Sequence, residues 1–402
     1  MTSSPVGAAR VLPPATVRAI VFALAVGGFA IGTSEFVVMG LMPEIARNLG
    51  ISEPQVGHVI SSYALGVVVG APLLAILGAR VPRRPLLLAL MGFYVLGNLA
   101  SALAPSYASL LLFRFIAGLP HGAYFGVAAL VAASITPPAQ RGLAVSRVML
   151  GLAVALLVGN PLATWLGQQL SWRYAFGLVS LLAMLTVVLV ARSLPPDPDE
   201  PRSNPARELR DFNRAPVWLT LATGAIGFAG MFCVFSYLAP TMVQVTGVPE
   251  AWTPLGLLAF GVGGILGNVA GGWLFDRFQF RAVPLVLGWS ALLLLAFPWA
   301  AHHLGSLLLV VVAVGTMGAL GPILQAHLMD VAGEAQTLAA ASHHSAFNLA
   351  NALGPWLGGM AITAGYGWTA TGYVGAAMAV AGLGIYGLAQ WQQRTPEAEP
   401  AR

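Results

Sequence analysis

The sequence predicts an all-α integral membrane protein with twelve transmembrane helices in two six-helix, pseudo-symmetric halves. Three observations carry that prediction. The 402 residues are 57% hydrophobic and only 8% charged, more apolar surface than one or two soluble cores can hide. The apolar residues fall into twelve runs, and about twenty such residues cross a bilayer as a helix. Finally, the chain matches itself at a constant offset of 197: Pro43 falls on Pro240, Gly50 on Gly247, Gly66 on Gly263, Gly70 on Gly267, Arg80 on Arg277 and Gly118 on Gly315.

In order, the first half is expected to hold segments at about 17–42, 54–78, 85–104, 107–133, 141–168 and 172–192. The second half repeats them at about 216–241, 251–275, 282–301, 305–328, 336–362 and 368–392. Pro298 lies near the end of the ninth segment, and Gly321-Pro322 is expected to break the tenth. The organisation read from this is an N-terminal tail (1–16), a first bundle (17–192), a linker (193–215), a second bundle (216–392) and a short tail (393–402). The linker is rich in Pro, Arg and acidic residues and reads as solvated. Residues 1–16 are polar, and the run Val17–Met42 is too long for the core of a cleavable signal, so none is expected.

Arginine sets the orientation, since all 19 basic residues are Arg. Placing both termini in the cytoplasm puts sixteen arginines on that side and two, Arg47 and Arg173, outside, with Arg114 within the membrane. The basic pI therefore reflects topology, and no nucleic-acid partner is expected. The lone Cys233 excludes an intrachain disulfide and argues against a zinc cluster. Gly-rich runs such as Gly261–Gly272 lack the Lys that a phosphate loop needs and read as helix packing. Trp172, Trp368 and Trp391 read as interfacial anchors. No cofactor or metal is expected.

Ionisable groups in lipid cost about 2.5–3.5 kcal/mol or more each, which makes them functional candidates. Glu35 lies deep in the first segment and Arg114 at similar depth in the fourth. A Glu35–Arg114 pair would keep the carboxylate ionised until substrate or a conformational change released it to take a proton; a permanent structural salt bridge is the alternative. His121 follows Arg114 by two helical turns on roughly the same face and could relay a proton, or simply bond a carbonyl. His343 and His344 are weaker candidates. His302 and His303, Asp330 and Glu334 read as loop groups.

The loop after the eighth segment runs Gly272-Trp-Leu-Phe-Asp276-Arg277. This Gly-x-x-x-Asp-Arg pattern resembles the signature loop of the major facilitator superfamily. Arg114-Phe-Ile-Ala-Gly118 resembles a motif of its drug:proton antiporters, and Gly151 with Gly159-Asn160-Pro161 resembles their fifth-helix motif. The stretch Gly32–Pro43 resembles the subgroup of arabinose, sugar and purine-nucleoside efflux proteins and chloramphenicol exporters. The chain departs from the pattern at Ala79, where the first-half loop lacks its acid beside Arg80 and Arg84, and at Asn160, which replaces a Gly.

The resemblance implies proton coupling through the helix-4 Arg114 and a cavity lined by helices 1, 4, 7 and 10. Glu35, Arg114, His121, Tyr237 and Gln325 could then face substrate, with packing or interhelical bonding the alternative for Tyr237 and Gln325. Gly272, Asp276, Arg277, Arg80 and Arg84 would form the conformational loops. The expectation is a monomeric transporter of the bacterial cytoplasmic membrane, not an enzyme, exporting a small organic solute in exchange for protons. A facilitator or importer of the same fold, or a non-transporting sensor, remains open.

Overall fold

The computed structural model describes residues 12–78, 80–137, 140–196, 213–332 and 336–394. Ala79, Glu334, most of the linker and the outermost tails lie outside them. The described residues contain helices and no strands. A backbone in lipid must satisfy its own polar groups, and the helix does so within each segment.

Followed through its breaks, the described chain forms twelve rods. The first half holds α1 (Pro14–Gly40), α2 (Glu53–Gly78), α3 (Arg83–Ala102), α4 (Tyr107–Ser134), α5 and α6 (Trp172–Ser193). Rod α5 joins Arg141–Val154 to Asn160–Gln169 through a π-turn at Ala155–Gly159. In the second half, α7 comprises Ala215–Gly227, Ala229–Ser236 and Leu238–Gln244, followed by α8 (Thr253–Phe278) and α9 (Val283–Ala300). Rod α10 comprises Leu304–Gly315, a 3₁₀ turn at Thr316–Ala319, and Leu320–Val331; α11 is Gln336–Ala361 and α12 is Ala370–Arg394. Ten stretches are long and apolar enough to cross a membrane; one of them, Glu250–Ala300, contains both α8 and α9, and α11 is not among the ten. Large apolar side chains such as Leu181, Val269 and Leu309 face outward from the bundle, a surface suited to lipid.

The breaks differ in place from expectation, with a common cause. A proline in a helix's first turn lacks an N–H that would have no partner there anyway. So Gly321-Pro322 does not break α10; it sits in the first turn of Leu320–Val331, just after the 3₁₀ turn. Pro161 likewise opens Asn160–Gln169 behind the π-turn. The first segment ends at Gly40, and Pro43 lies near the start of a separate short helix, Met42–Leu49. Its counterpart Pro240 opens Leu238–Gln244.

The 197-residue repeat recurs in the packing. A Cβ on Gly66 would collide with the Phe115 carbonyl, one on Gly70 with that of Leu119, and one on Gly118 with that of Tyr63. At the same offset, Gly263 meets the Val312 carbonyl, Gly267 that of Thr316, and Gly315 that of Phe260. Thus α2 lies on α4 as α8 lies on α10, backbone to backbone. Gly50 caps Met42–Leu49 and Gly247 lies three residues past Leu238–Gln244, both at positive φ, 64° and 76°, where only glycine is free of strain.

The halves meet chiefly through α2 against α11 and α5 against α8. The Ser61 hydroxyl donates to the Ala352 carbonyl at 2.8 Å, and Gly57 is roofed by the Tyr237 ring. These contacts lie toward the end of the bundle opposite the one that carries Arg83, Arg84, Arg192, Arg277 and Arg281.

Candidate transport site

Three consecutive residues of α1 organise the middle of the molecule. Successive helical residues point about 100° apart, so Ser34, Glu35 and Phe36 address different neighbours. All three are buried.

Ser34 faces the first half. Its hydroxyl donates to Asn98 Oδ1 at 2.6 Å. Arg114 donates to that hydroxyl at 2.8 Å and to the Ser34 carbonyl at 2.9 Å, a forked grip that lysine could not copy. The guanidinium lies 4.1 Å from the Tyr63 ring centre and 5.1 Å from that of Phe176. Aromatic faces from α2 and α6 thus partly replace lost water. A polar chain leads onward: Tyr94 and Tyr63 share a hydrogen bond at 2.9 Å, and Tyr63 reaches His121 Nδ1 at 3.0 Å.

Glu35 faces the second half. Its Oε1 accepts from Asn351 Nδ2 of α11 at 3.3 Å. The expected Glu35–Arg114 ion pair does not form, because Arg114 grips residue 34 and residue 35 points elsewhere. Phe36 completes the fan. It stacks on Phe232 of α7 at 6.2 Å and lies 6.0 Å from Phe235, while Phe232 meets Phe347 of α11 edge-on.

His121 sits among rings from both halves. It lies 5.4 Å from Phe125 and 6.5 Å from His344, and His344 stacks on Phe125 at 5.3 Å. His343 is buried behind them. The structure therefore brings Glu35, Arg114, His121 and the weaker candidate His344 into one region, and adds Ser34, Tyr63, Tyr94, Asn98 and Asn351. The two amides gave a usable signal: an uncharged polar side chain deep in an apolar run needs a partner.

Other candidates have different places. Tyr237 is fully buried, and its hydroxyl donates to the Pro355 carbonyl at 2.6 Å. Gln325 is half-buried in Leu320–Val331, and no hydrogen bond joins it to the Glu35 network among the described residues. On α8, Gly271 rather than Gly272 makes the close approach, to Ala319; Gly272 faces open space. Asp276 and Arg277 are exposed at the helix end, as is Arg80, while Arg84 donates to the Ala191 carbonyl of α6 at 2.8 Å. On α5, Gly151 lies on Ala25 and Phe29, and Gly159 on Thr33 and Phe29, all of α1. Asn160 is buried with neither amide atom partnered among the described residues, and Pro161 follows it at the start of Asn160–Gln169.

A second polar cluster closes the end opposite the arginines. Arg47, in Met42–Leu49, forms a forked ion pair with Glu250 of the second half. Gln168 at the end of α5 donates to the Glu250 backbone carbonyl at 3.0 Å. Burial pushes the nearby Glu44 carboxyl up to about 7; the Glu250 carboxylate adds to the rise and Arg47 offsets part of it. One Glu44 oxygen is buried without a hydrogen bond.

The Major Facilitator Superfamily model matches residues 24–297 and 259–402. The chain belongs to the major facilitator superfamily. It is 38% identical over 376 residues to the inner membrane transport protein YdhP of Escherichia coli K12, covering 93% of this chain and 96% of that one. It is 33% identical over 343 residues to a chloramphenicol resistance protein of Streptomyces lividans, covering 83% and 86%. The fold matches a crystal structure of a bacterial homologue of the human lysosomal transporter Spinster, in an inward-facing and unoccupied conformation. That match has a TM-score of 0.70 at 16% identity and spans 96% of this chain and 100% of the other. This superfamily protein is therefore a multi-pass membrane transporter, with the buried acid Glu35 set where its two halves touch.

Proposed function

We propose that this chain exports a small organic solute across the bacterial cytoplasmic membrane in exchange for protons, by alternating access. The observation that carries the reading is Glu35: a buried carboxyl whose one hydrogen-bonded side chain, Asn351, belongs to the opposite half. A group there can bind a proton in one arrangement of the halves and lose it in another. Arg114, held on Ser34 and between two rings, supplies a fixed positive charge nearby. The relatives named for inner membrane transport and for chloramphenicol resistance support transport of a small organic molecule.

The arginine bias supports a cytoplasmic position for the arginine-rich end and for both termini. The closed end, sealed by Arg47–Glu250 and Ser61–Ala352, then faces outward. The bundles 17–192 and 216–392 are the bodies that rock about the central site in a functional monomer. The membrane potential contributes about 2.3 kcal/mol per charge per 100 mV, and a pH gradient about 1.4 kcal/mol per proton per unit.

The test is proton release from acidified inverted vesicles on addition of sugars, nucleosides or amphenicol-like drugs. Wild-type protein should dissipate the gradient with at least one compound, and Glu35→Gln should abolish that response while the protein still folds. Undiminished active export by Glu35→Gln would remove Glu35 from the mechanism. Solute flux without proton movement would make the protein a facilitator.

A further inference from the structure

Asn351 uses half of its amide. Nδ2 donates to Glu35, while Oδ1 is buried and has no partner among the described residues. The residue is fully buried, so an orphaned acceptor there carries a cost of about 1–3 kcal/mol. The two protonation states of Glu35 treat that acceptor differently. An ionised carboxylate only accepts, so it can use the amide N–H and nothing more. A protonated carboxyl donates from one oxygen and accepts at the other, the complement of a primary amide. It can bond both amide atoms in a closed ring, and the orphan disappears.

We propose that Asn351 reads the protonation state of Glu35 and converts it into tighter docking of α11 against α1. Asn351 is thus a positioning residue that acts through Glu35. One bond joins the halves when Glu35 is ionised, and two when it is protonated. Proton binding at Glu35 then favours the arrangement described here, with the end opposite the arginines closed. This deepens, and rests on, the reading of Glu35 as the proton-coupling group.

The surroundings support a local switch. The charged and titratable neighbours are Arg114 of α4, Tyr63 of α2 and Tyr94 of α3. Arg and Tyr ordinarily keep one protonation state between pH 5 and 8. From α7 the facing groups are the uncharged Phe232 and Phe235. On α5, Leu152 and Ala155 lie against Gly32 of α1. His121 of α4 and His344 of α11 titrate near neutrality when unperturbed, so the test must separate them from Glu35.

The experiment is a double-mutant cycle read by distance. Spin labels at Gln169 and His302, both exposed at the closed end and in opposite halves, report the closed population in reconstituted protein between pH 5 and 8, in a Glu44→Gln background that serves as the wild-type reference of this cycle because the Glu44 carboxyl lies at the same closed end. Lowering the pH should raise the closed-to-open ratio of wild-type protein roughly tenfold, the worth of one buried hydrogen bond. Asn351→Ala should abolish that response, and Asn351→Gln, which keeps both amide functions, should restore part of it. Glu35→Gln should be pH-independent and as closed as wild-type protein at low pH, and adding Asn351→Ala should then restore no pH response. A full wild-type pH response in folded Asn351→Ala protein overturns the proposal; so does a response that survives in Glu35→Gln, which would assign it to the histidines. If Glu35→Gln still releases protons on solute addition, the underlying reading of Glu35 fails, and that result is separate from the distance measurement.

Discussion

Replacing Glu44 with glutamine should reduce the loosening of the closed end that wild-type protein shows as the pH rises from 5 to 8, leaving only the part carried by Glu35. Burial is the main reason the Glu44 carboxyl is raised from 4.5 to about 7 when this end is closed. If the end opens, the group meets water and returns toward the ordinary value. Closure therefore takes up a proton between those two pH values. The sign follows: the closed form keeps its full advantage below about 4.5 and loses it as the pH climbs through about 7. At 1.36 kcal/mol per pKa unit the difference is worth at most roughly 3–4 kcal/mol, and the partly exposed position of the carboxyl reduces it. The Arg47–Glu250 pair cannot mask a change of that size, because exposed ion pairs contribute about 0–1 kcal/mol. The assay is the Gln169–His302 spin-label distance against pH; the native Cys233 is buried and leaves the labels unconfounded. A pH-dependent distance in Glu44→Gln equal to that of wild-type protein would refute the reasoning.

Three further outcomes are expected. Gly66→Ala and Gly263→Ala should each destabilise the protein by about 1–3 kcal/mol, since both force a Cβ into a carbonyl at equivalent places in the two halves; thermal unfolding in detergent measures it, and an effect on one alone would contradict the repeat. Arg114→Lys should fold but lose most transport, because lysine cannot grip both Ser34 oxygens or place a guanidinium over Tyr63; vesicle uptake reads the loss. Tyr237→Phe should lower stability by about 1 kcal/mol through the lost bond to the Pro355 carbonyl, with solute affinity measured by titration unchanged.

The helices were legible because lipid leaves a chain few choices: an apolar run of about twenty residues must be a helix. The repeat was legible because close backbone approach accepts only glycine, so Gly66, Gly118, Gly263 and Gly315 mark the same two contacts twice. Breaks were harder. Proline changes meaning with its position in the turn, and a run of residues does not say where a turn begins, so Pro322 reads as a breaker when it is a starter. At the site, depth along the helix placed Glu35 and Arg114 at one level but gave no rotation. Arg114 therefore pairs one residue away from expectation, with Ser34, and Glu35 pairs across the halves with Asn351. The cluster at the closed end was invisible for another reason: Arg47 and Glu250 are 203 residues apart and look like ordinary loop charges until the fold joins them.

Both acids singled out above stand at contacts between the halves, and this constrains how protons can be linked to movement. A carboxyl buried inside one half would see the same surroundings in every arrangement and could shift no equilibrium between them. Glu35 touches α11, and Glu44 lies beside Glu250 of the second half. Each therefore changes surroundings when the halves part, which linkage requires of any group that couples proton binding to conformation. The two differ in what protonation does. At Glu44 it removes an unsolvated charge at the rim, an effect that pH on one side of the membrane can tune. At Glu35 it completes a bond pattern with Asn351, beside an arginine held in place by Ser34, Tyr63 and Phe176. A solute that takes Asn351's hydrogen bonds for itself would deprive protonated Glu35 of its partner, and proton release on solute binding follows from that competition.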